Sequence, residues 1–324
     1  MVVTKTADNT FVRSIQEKKI ADLPEGEVLV QVLYSSVNYK DVLSATGNPG
    51  VTRKYPHTPG IDAAGIVAQS TDPTFSPGDK VIVTSYDLGM NTPGGYGQYI
   101  RVPSGWVVPQ PDGLSSREAM IFGTAGFTAG LSVWQMLEGG VRPEAGNVLV
   151  SGATGGVGSI AVSILSKLGY TITAVNGVAD ESEYLKRIGA SEIISIEEAT
   201  DTSGRPLLKS RWAGGIDTVG GDILATMIKS ADSWAAVTCC GNVASPELPL
   251  NVYPFILRGV KLFGSDSQNC PMPIRQSIWR KLASEWKIDR LDTITTEAPF
   301  EALDSKIELM LQGKHIGRTI IRMA

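Results

Sequence analysis

The sequence predicts an α/β protein in two parts, one rich in β-strands and one a doubly wound parallel sheet covered by helices. Three observations predict it. Up to about residue 120, short apolar runs alternate with turn residues; beyond it, strand-like and helix-like stretches alternate. A glycine-rich turn, Gly152 to Gly158, joins an apolar run to a helical stretch within the second part. The 324 residues, 42% of them hydrophobic, suffice for two domains that each bury a core.

Taken in order, Pro24-Glu25-Gly26 is a turn signal and Val28 to Tyr34 reads as a strand. Gly60 to Val67 follows Pro59 as a second strand. Gly78-Asp79-Lys80 turns into Val81-Ile82-Val83, and Gly94 to Val102 supplies a glycine turn and another strand. From Ala119 to Leu137 the apolar residues recur at helical spacing, interrupted by Gly123, Gly126 and Gly130. Asn147 to Ser151 is a buried-strand signature, followed after the glycine turn by a helix from Ser159 to Leu168. Thr171 to Val175, Glu192 to Ile196, Ile216 to Val219, Ala235 to Thr238 and Val260 to Phe263 complete six strands, with a helix from Asp180 to Ile188 between two of them. Helices around Ile274 to Trp286 and Phe300 to Leu311 precede a last strand, Arg318 to Arg322.

Composition removes several functions. With 29 Lys plus Arg against 33 Asp plus Glu, the net charge is -4, and no concentrated basic face for nucleic acid is visible. The only histidines, His57 and His315, lie far apart and read as structural. The three cysteines, Cys239, Cys240 and Cys270, form no C-x-x-C pair, so no metal site and no disulfide framework is expected. Cys239 and Cys240 read as small buried residues. No apolar leader or run of ~18 apolar residues occurs, and a reducing cytoplasm is the simplest compartment.

The glycine turn carries the strongest chemistry. In Gly152-Ala153-Thr154-Gly155-Gly156-Val157-Gly158, Ala153 replaces the first glycine of G-x-G-x-x-G, while Gly155 and Gly158 fill the others. Glycines let the backbone approach a pyrophosphate, whose charge meets the amides at the helix N-terminus. The residue ending the second strand discriminates between nicotinamide cofactors, because an acidic side chain there binds a ribose 2′-hydroxyl and repels a 2′-phosphate. This chain has Asn176, in Asn176-Gly177-Val178, which favours NADP. No Lys or Arg follows at once, though Tyr184, Lys186 and Arg187 lie on the next helix.

With these residues in hand, the chain resembles the zinc-free, quinone-oxidoreductase-like branch of the medium-chain dehydrogenases/reductases, and more closely the YhdH/AcuI-type acrylyl-CoA reductases. The resemblance rests on Asn38-Tyr39-Lys40-Asp41, Pro59-Gly60-Ile61-Asp62, Gly123-Thr124-Ala125-Gly126-Phe127-Thr128-Ala129 and the glycine turn. Trp212 to Gly220 and Pro254 to Arg258 extend it along most of the chain. It implies a GroES-like catalytic domain, residues 1–122 and 266–324, with a Rossmann domain, residues 123–265, inserted. A cleft for the nicotinamide and a homodimer are also implied. Members of the subgroup tend to carry a basic residue after the Gly177 equivalent, where this chain has Val178.

The resemblance points to reduction of an enoyl-CoA, enone or quinone. Tyr39 is the candidate to line the nicotinamide and donate a hydrogen bond or proton. Asn38 would orient cofactor or substrate; Asp41 would orient Lys40 or the ribose, or else, with Lys40, merely cap the helix. Thr124 and Thr128 would contact the nicotinamide or its ribose. Strand ends at Cys240-Gly241 and Gly264-Ser265 should border the cofactor, since open parallel sheets bind ligands there. Arg53 and Lys54, with Arg258, Arg275, Arg280 and Lys281, are candidates for the phosphates of CoA. Acrylyl-CoA reduction is the leading expectation, quinone reduction the second, and a dinucleotide-binding sensor or structural protein the non-enzyme alternative.

Overall fold

The computed structural model describes residues 1–177 and 181–323. They form two compact units: Met1–Thr124, Gln268–Ala283 and Thr295–Ala324 in the first, Ala125–Ser267 and Ser284–Ile294 in the second.

The first unit is built on a seven-stranded sheet. Its path runs Thr295–Pro299, Arg318–Arg322, Val28–Ser36, Asp62–Ser70, Lys80–Thr84, Val107–Pro109, and Tyr99–Val102 also pairs with Val28–Ser36. Val28–Ser36 is central because it is β-branched and apolar on its buried face, with Val28, Val30 and Val32 within 1% of complete burial. Gly65 lets the neighbouring strand come close, since a Cβ there would sit 1.9 Å from the Gln31 carbonyl oxygen. The register Ile320↔Ser36 sets Arg318 beyond the end of Val28–Ser36, where the chain turns into the helix Tyr39–Ala45.

The second unit is a six-stranded parallel sheet with the order Glu192–Ser195, Ile172–Asn176, Val148–Val150, Trp212–Asp217, Ala231–Cys239, Lys261–Gly264. In chain order this is 3-2-1-4-5-6, the doubly wound arrangement, whose direction reverses between Val148–Val150 and Trp212–Asp217. All six expected strands are present. The fourth differs from its expected span, Ile216 to Val219, by starting at Trp212 and stopping at Asp217, whose carboxylate is held by the Ser151 hydroxyl at 2.7 Å and the Gly220 amide at 2.8 Å. The expected helix from Asp180 is Ser182–Arg187, and residues 178–180, Val178 among them, lie outside the described residues. The helix expected from Ala119 is Ser116–Glu138, broken at Gly123, where φ is 52°.

Cys239, Cys240 and Cys270 are not joined in disulfides, and no helix among the described residues is long and apolar enough to cross a membrane. His57 is buried with Nε2 2.9 Å from the Gly89 carbonyl oxygen, and burial lowers its pKa. His315 Nε2 lies 3.0 Å from Thr319 Oγ1; burial first, then the charges of Arg318 and Lys306, lower its pKa from 6.5 to about 4. A folded-state pKa below the unfolded value gives stability that is present above pH ~6.5 and lost as pH falls toward 4. Urea unfolding at about pH 4.5 should therefore show about 2–3 kcal/mol less stability from this group than at about pH 7. His315→Asn should remove that difference; an unchanged pH dependence would overturn the assignment.

Candidate active site

In the first unit, four segments converge on one buried carboxylate. Asp62, fully buried, accepts from Ser36 Oγ at 2.5 Å, Asn38 Nδ2 at 2.8 Å, the Thr124 amide at 2.9 Å and Thr124 Oγ1 at 2.6 Å. Arg318 Nη2 lies 3.9 Å away, and its guanidinium also donates to the Ile121 carbonyl at 2.8 Å, Ser36 Oγ at 2.9 Å and Asn38 Oδ1 at 3.2 Å. Buried charges persist only when paired and hydrogen-bonded in this way. The chain can pass over the network only at a glycine: a Cβ on Gly123 would fall 2.4 Å from Asp62 Oδ2.

Asp41 forms a second buried carboxylate. It accepts from the Asn38 amide at 2.8 Å, the Ile61 amide at 2.8 Å and Tyr96 Oη at 3.0 Å. Burial, reinforced by the negative charge of Asp62, raises its pKa to about 7. Of the two sequence readings, its partners match the helix cap, since Lys40 donates instead to Gln268 Oε1 at 2.6 Å. Asn38, Asp41 and Thr124 thus meet around Asp62, while Tyr39, one residue along the same helix start, is 53% exposed.

Sequence reasoning gave no role to Asp62, Arg318, Ser36 or Tyr96. A usable signal exists for Asp62, the single charge in the strand Asp62–Ser70, where an unpaired charge would be costly; Arg318 shares its strand with Arg322 and is not marked out in this way.

In the second unit the glycine turn makes a tight cradle. Gly152 has φ 57°, its carbonyl accepts from the Gly155 amide at 3.0 Å, and a Cβ on Gly158 would fall 2.2 Å from that same carbonyl oxygen. The helix Gly156–Lys167 begins inside the turn, so its first amides point at whatever lies over Thr154, Gly155, Gly156 and Val157, all half-buried. Register aligns the strand ends, with Asp217, Cys239 and Gly264 side by side. Asn176 and Ser265 are buried at this edge, Gly177 and Gly264 exposed, and Cys240 and Gly241 half-buried. Ser265 Oγ donates to Gln135 Oε1 at 2.6 Å, and Thr128 is buried on the helix that carries Gln135. Burial, then Asp217, pushes the Cys240 thiol up to about 12, so it stays a protonated thiol at neutral pH.

These residues fit a dinucleotide. The cradle leaves no room for side chains at Gly158, and Tyr184 Oη is buried without a hydrogen-bond partner among the described residues. Two expectations need correction. Arg258 donates to the carbonyls of Ala231, at 2.8 Å, and Lys229, and buried Arg275 donates to the Thr84 carbonyl at 3.2 Å, so both serve the interior rather than a CoA phosphate. Arg53 and Lys54 are exposed. No group of three or more His, Cys, Asp or Glu placed to hold a metal occurs among the described residues.

A β-rich unit with a buried polar helix start and a 3-2-1-4-5-6 sheet with a glycine cradle define the two-unit dehydrogenase class. Residues 24–112 match the alcohol dehydrogenase GroES-like domain, and residues 156–285 match the zinc-binding dehydrogenase family. YhfP of Bacillus subtilis is 45% identical over 98% of this chain and 97% of its own; its crystal structure with NAD bound superposes with a TM-score of 0.97 at 99% and 98% coverage. Acrylyl-CoA reductase AcuI of Ruegeria pomeroyi is 42% identical, over 95% of this chain and 93% of its own. The yhdH oxidoreductase of Salmonella enterica, solved in complex with NADP, is 40% identical with a TM-score of 0.97, covering 100% and 99%. The chain belongs to the quinone oxidoreductase-like branch of the medium-chain dehydrogenase/reductase family.

Proposed function

We propose that the chain is an NADPH-dependent reductase of activated carbon–carbon double bonds and that it converts acrylyl-CoA to propionyl-CoA. The likeness to an acrylyl-CoA reductase along almost the whole chain is the observation that carries this reading. Asn176 in place of a carboxylate supports NADPH, as does the NADP held by the Salmonella relative.

Bound nicotinamide supplies a hydride to the β-carbon of the substrate. Charge then moves onto the thioester oxygen as an enolate, and Tyr39 donates a hydrogen bond to it. A proton from Tyr39, or from water, completes the α-carbon. Asn38 orients the cofactor or substrate, and Asp41 acts through it as a positioning residue. Thr154 to Gly158, Asn176, Gly177, Val178 and Tyr184 hold the adenosine and phosphate end, while Thr124, Thr128, Cys240, Gly241, Gly264 and Ser265 border the nicotinamide. Arg53 and Lys54 meet the CoA phosphates. A homodimer in the cytoplasm belongs to the proposal too. Trp234, Ile256 and Leu257, each more than 60% exposed, are apolar side chains of the second unit that a partner copy would cover.

The provisional quinone oxidoreductase name of YhfP favours the second reading, a quinone substrate. Loss of NADPH absorbance separates the two when acrylyl-CoA, crotonyl-CoA, methyl vinyl ketone and a quinone are compared. Acrylyl-CoA should have the highest kcat/KM, and NADPH should exceed NADH by about tenfold or more. A quinone turned over best would replace the substrate reading, and NADH as the better donor would overturn the argument from Asn176. NADPH binding without turnover of any acceptor would favour the sensor.

A further inference from the structure

We infer that Tyr96 is a positioning residue for the helix start that carries Tyr39, and that it works by sharing one buried proton with Asp41; the catalytic half of the inference rests on the reductase reading above. Two acceptors face the Tyr96 hydroxyl within the first unit, the Ser36 carbonyl at 3.2 Å and Asp41 Oδ2 at 3.0 Å. Ser36, Asp41 and Tyr96 are all fully buried. A phenol has a single proton, so the two bonds belong to two protonation states. With Asp41 ionised, Tyr96 donates to Oδ2. With Asp41 neutral, the carboxylic acid proton lies on the contact between Oδ2 and Oη, and the Tyr96 proton turns to the Ser36 carbonyl. In both states Oδ2 accepts from the Asn38 amide and Oδ1 from the Ile61 amide, each at 2.8 Å.

The charges around the pair favour the neutral acid. Asp41 and Asp62 are two buried carboxylates, and the buried cation bonded into their network is Arg318. A second ionised carboxylate would leave net negative charge away from water, and burial with the charge of Asp62 raises the Asp41 pKa accordingly. The other charged groups nearby are engaged elsewhere. Lys40 donates to Gln268, the Met1 amino group to the Tyr96 carbonyl, and His57 meets the Gly89 carbonyl. On the helix Leu303–Leu311, which packs against Tyr39–Ala45, Asp304 and Glu308 hold Arg13, and the charge of Lys306 acts on His315. The Tyr96 backbone is pressed into place, since a Cβ on Gly95 would fall 2.1 Å from the Asp62 carbonyl oxygen. Asn38 transmits the state of the pair. Its Nδ2 stands 2.8 Å from Asp62 Oδ2 and 3.3 Å from Asp41 Oδ2, so it belongs to Asp62 while Asp41 is neutral. Once Asp41 ionises, both carboxylates pull on the residue that caps the helix beginning at Tyr39.

Two measurements test this, one of them independent of turnover. Infrared spectra of the wild-type protein should show the carbonyl band of a buried neutral carboxylic acid that disappears as pH rises through about 7 and is missing in Asp41→Asn. Absence of that band below pH 7 would overturn the shared proton. In parallel, kcat with the best acceptor should fall as pH rises through the same midpoint, by about tenfold per unit once well above it. Tyr96→Phe removes a donor that serves the ionised acid most strongly, so band and kcat midpoint should both move up by about one unit. Asp62→Asn removes the neighbouring negative charge and should move both down by about one unit or more. A role in packing alone would move neither midpoint. A band that titrates beside a kcat that does not follow it would overturn the positioning role and leave Tyr96 a structural residue. Absence of turnover with every acceptor would instead fail the reductase reading, and the band would still decide whether the proton is there.

Discussion

Replacing Arg318 by methionine is expected to lower the unfolding free energy by about 3–5 kcal/mol, the cost of leaving a buried charge without its partner. The side chain is 2% exposed and its guanidinium reaches Ser36, Val37, Asn38, Met120 and Ile121 as well as Asp62. Methionine fills much of the same volume with no donor at all. Its substitution would leave Asp62 and Asp41 as two buried carboxylates with their shared cation gone. Asp62→Asn in the same chain should return more than about 1 kcal/mol, because the uncompensated charge disappears while most donors keep an acceptor. Urea unfolding of the two variants reads this directly. A loss below about 1 kcal/mol in Arg318→Met would mean that the ion pair does not hold the network together.

The parallel sheet was legible because its central strand is a run of β-branched and apolar residues, Val148–Val150, with the glycine turn directly after it. The start of Trp212–Asp217 was not, because Gly214 and Gly215 break the apolar pattern. The structure explains both: a Cβ on Gly214 would meet Met136 Sδ at 3.0 Å, and one on Gly215 would meet Met227 Sδ at 2.2 Å. Packing from helices on the two faces, rather than strand propensity, chose these glycines. The helix Gly221–Lys229 was hidden for a related reason, since Gly220 and Gly221, at φ 76° and 61°, read as a turn. Tyr253–Arg258 was hidden by Pro254, which suits a first helical turn but looks like a breaker in sequence.

The candidate site divides the same way. Asn38, Tyr39 and Asp41 fall within four consecutive residues, so local pattern exposes them. Asp62 and Arg318 meet only because the C-terminal strand Arg318–Arg322 pairs with Val28–Ser36, which in turn pairs with Asp62–Ser70. That pairing is a property of the sheet, and no local window contains it.

Tyr39 presents the opposite energetics to Arg318, and the contrast gives the sharpest test of the catalytic assignment. Its ring is 53% exposed at the first turn of the helix Tyr39–Ala45, so Tyr39→Phe should change stability by no more than about 0.5 kcal/mol. If the hydroxyl carries the developing enolate charge, its removal should lower kcat about 10²-fold or more, with the dissociation constant for NADPH nearly unchanged. The loss should fall on kcat rather than KM, because the charge exists in the transition state and not in the bound substrate. A fall in KM affinity alone would make Tyr39 a binding residue. An unchanged kcat would assign the charge to other donors and the proton to water. Asp41 and Asn38 set the helix start that carries this hydroxyl, so Asn38→Ala should show the mixed result that Tyr39→Phe avoids, losing stability and activity together.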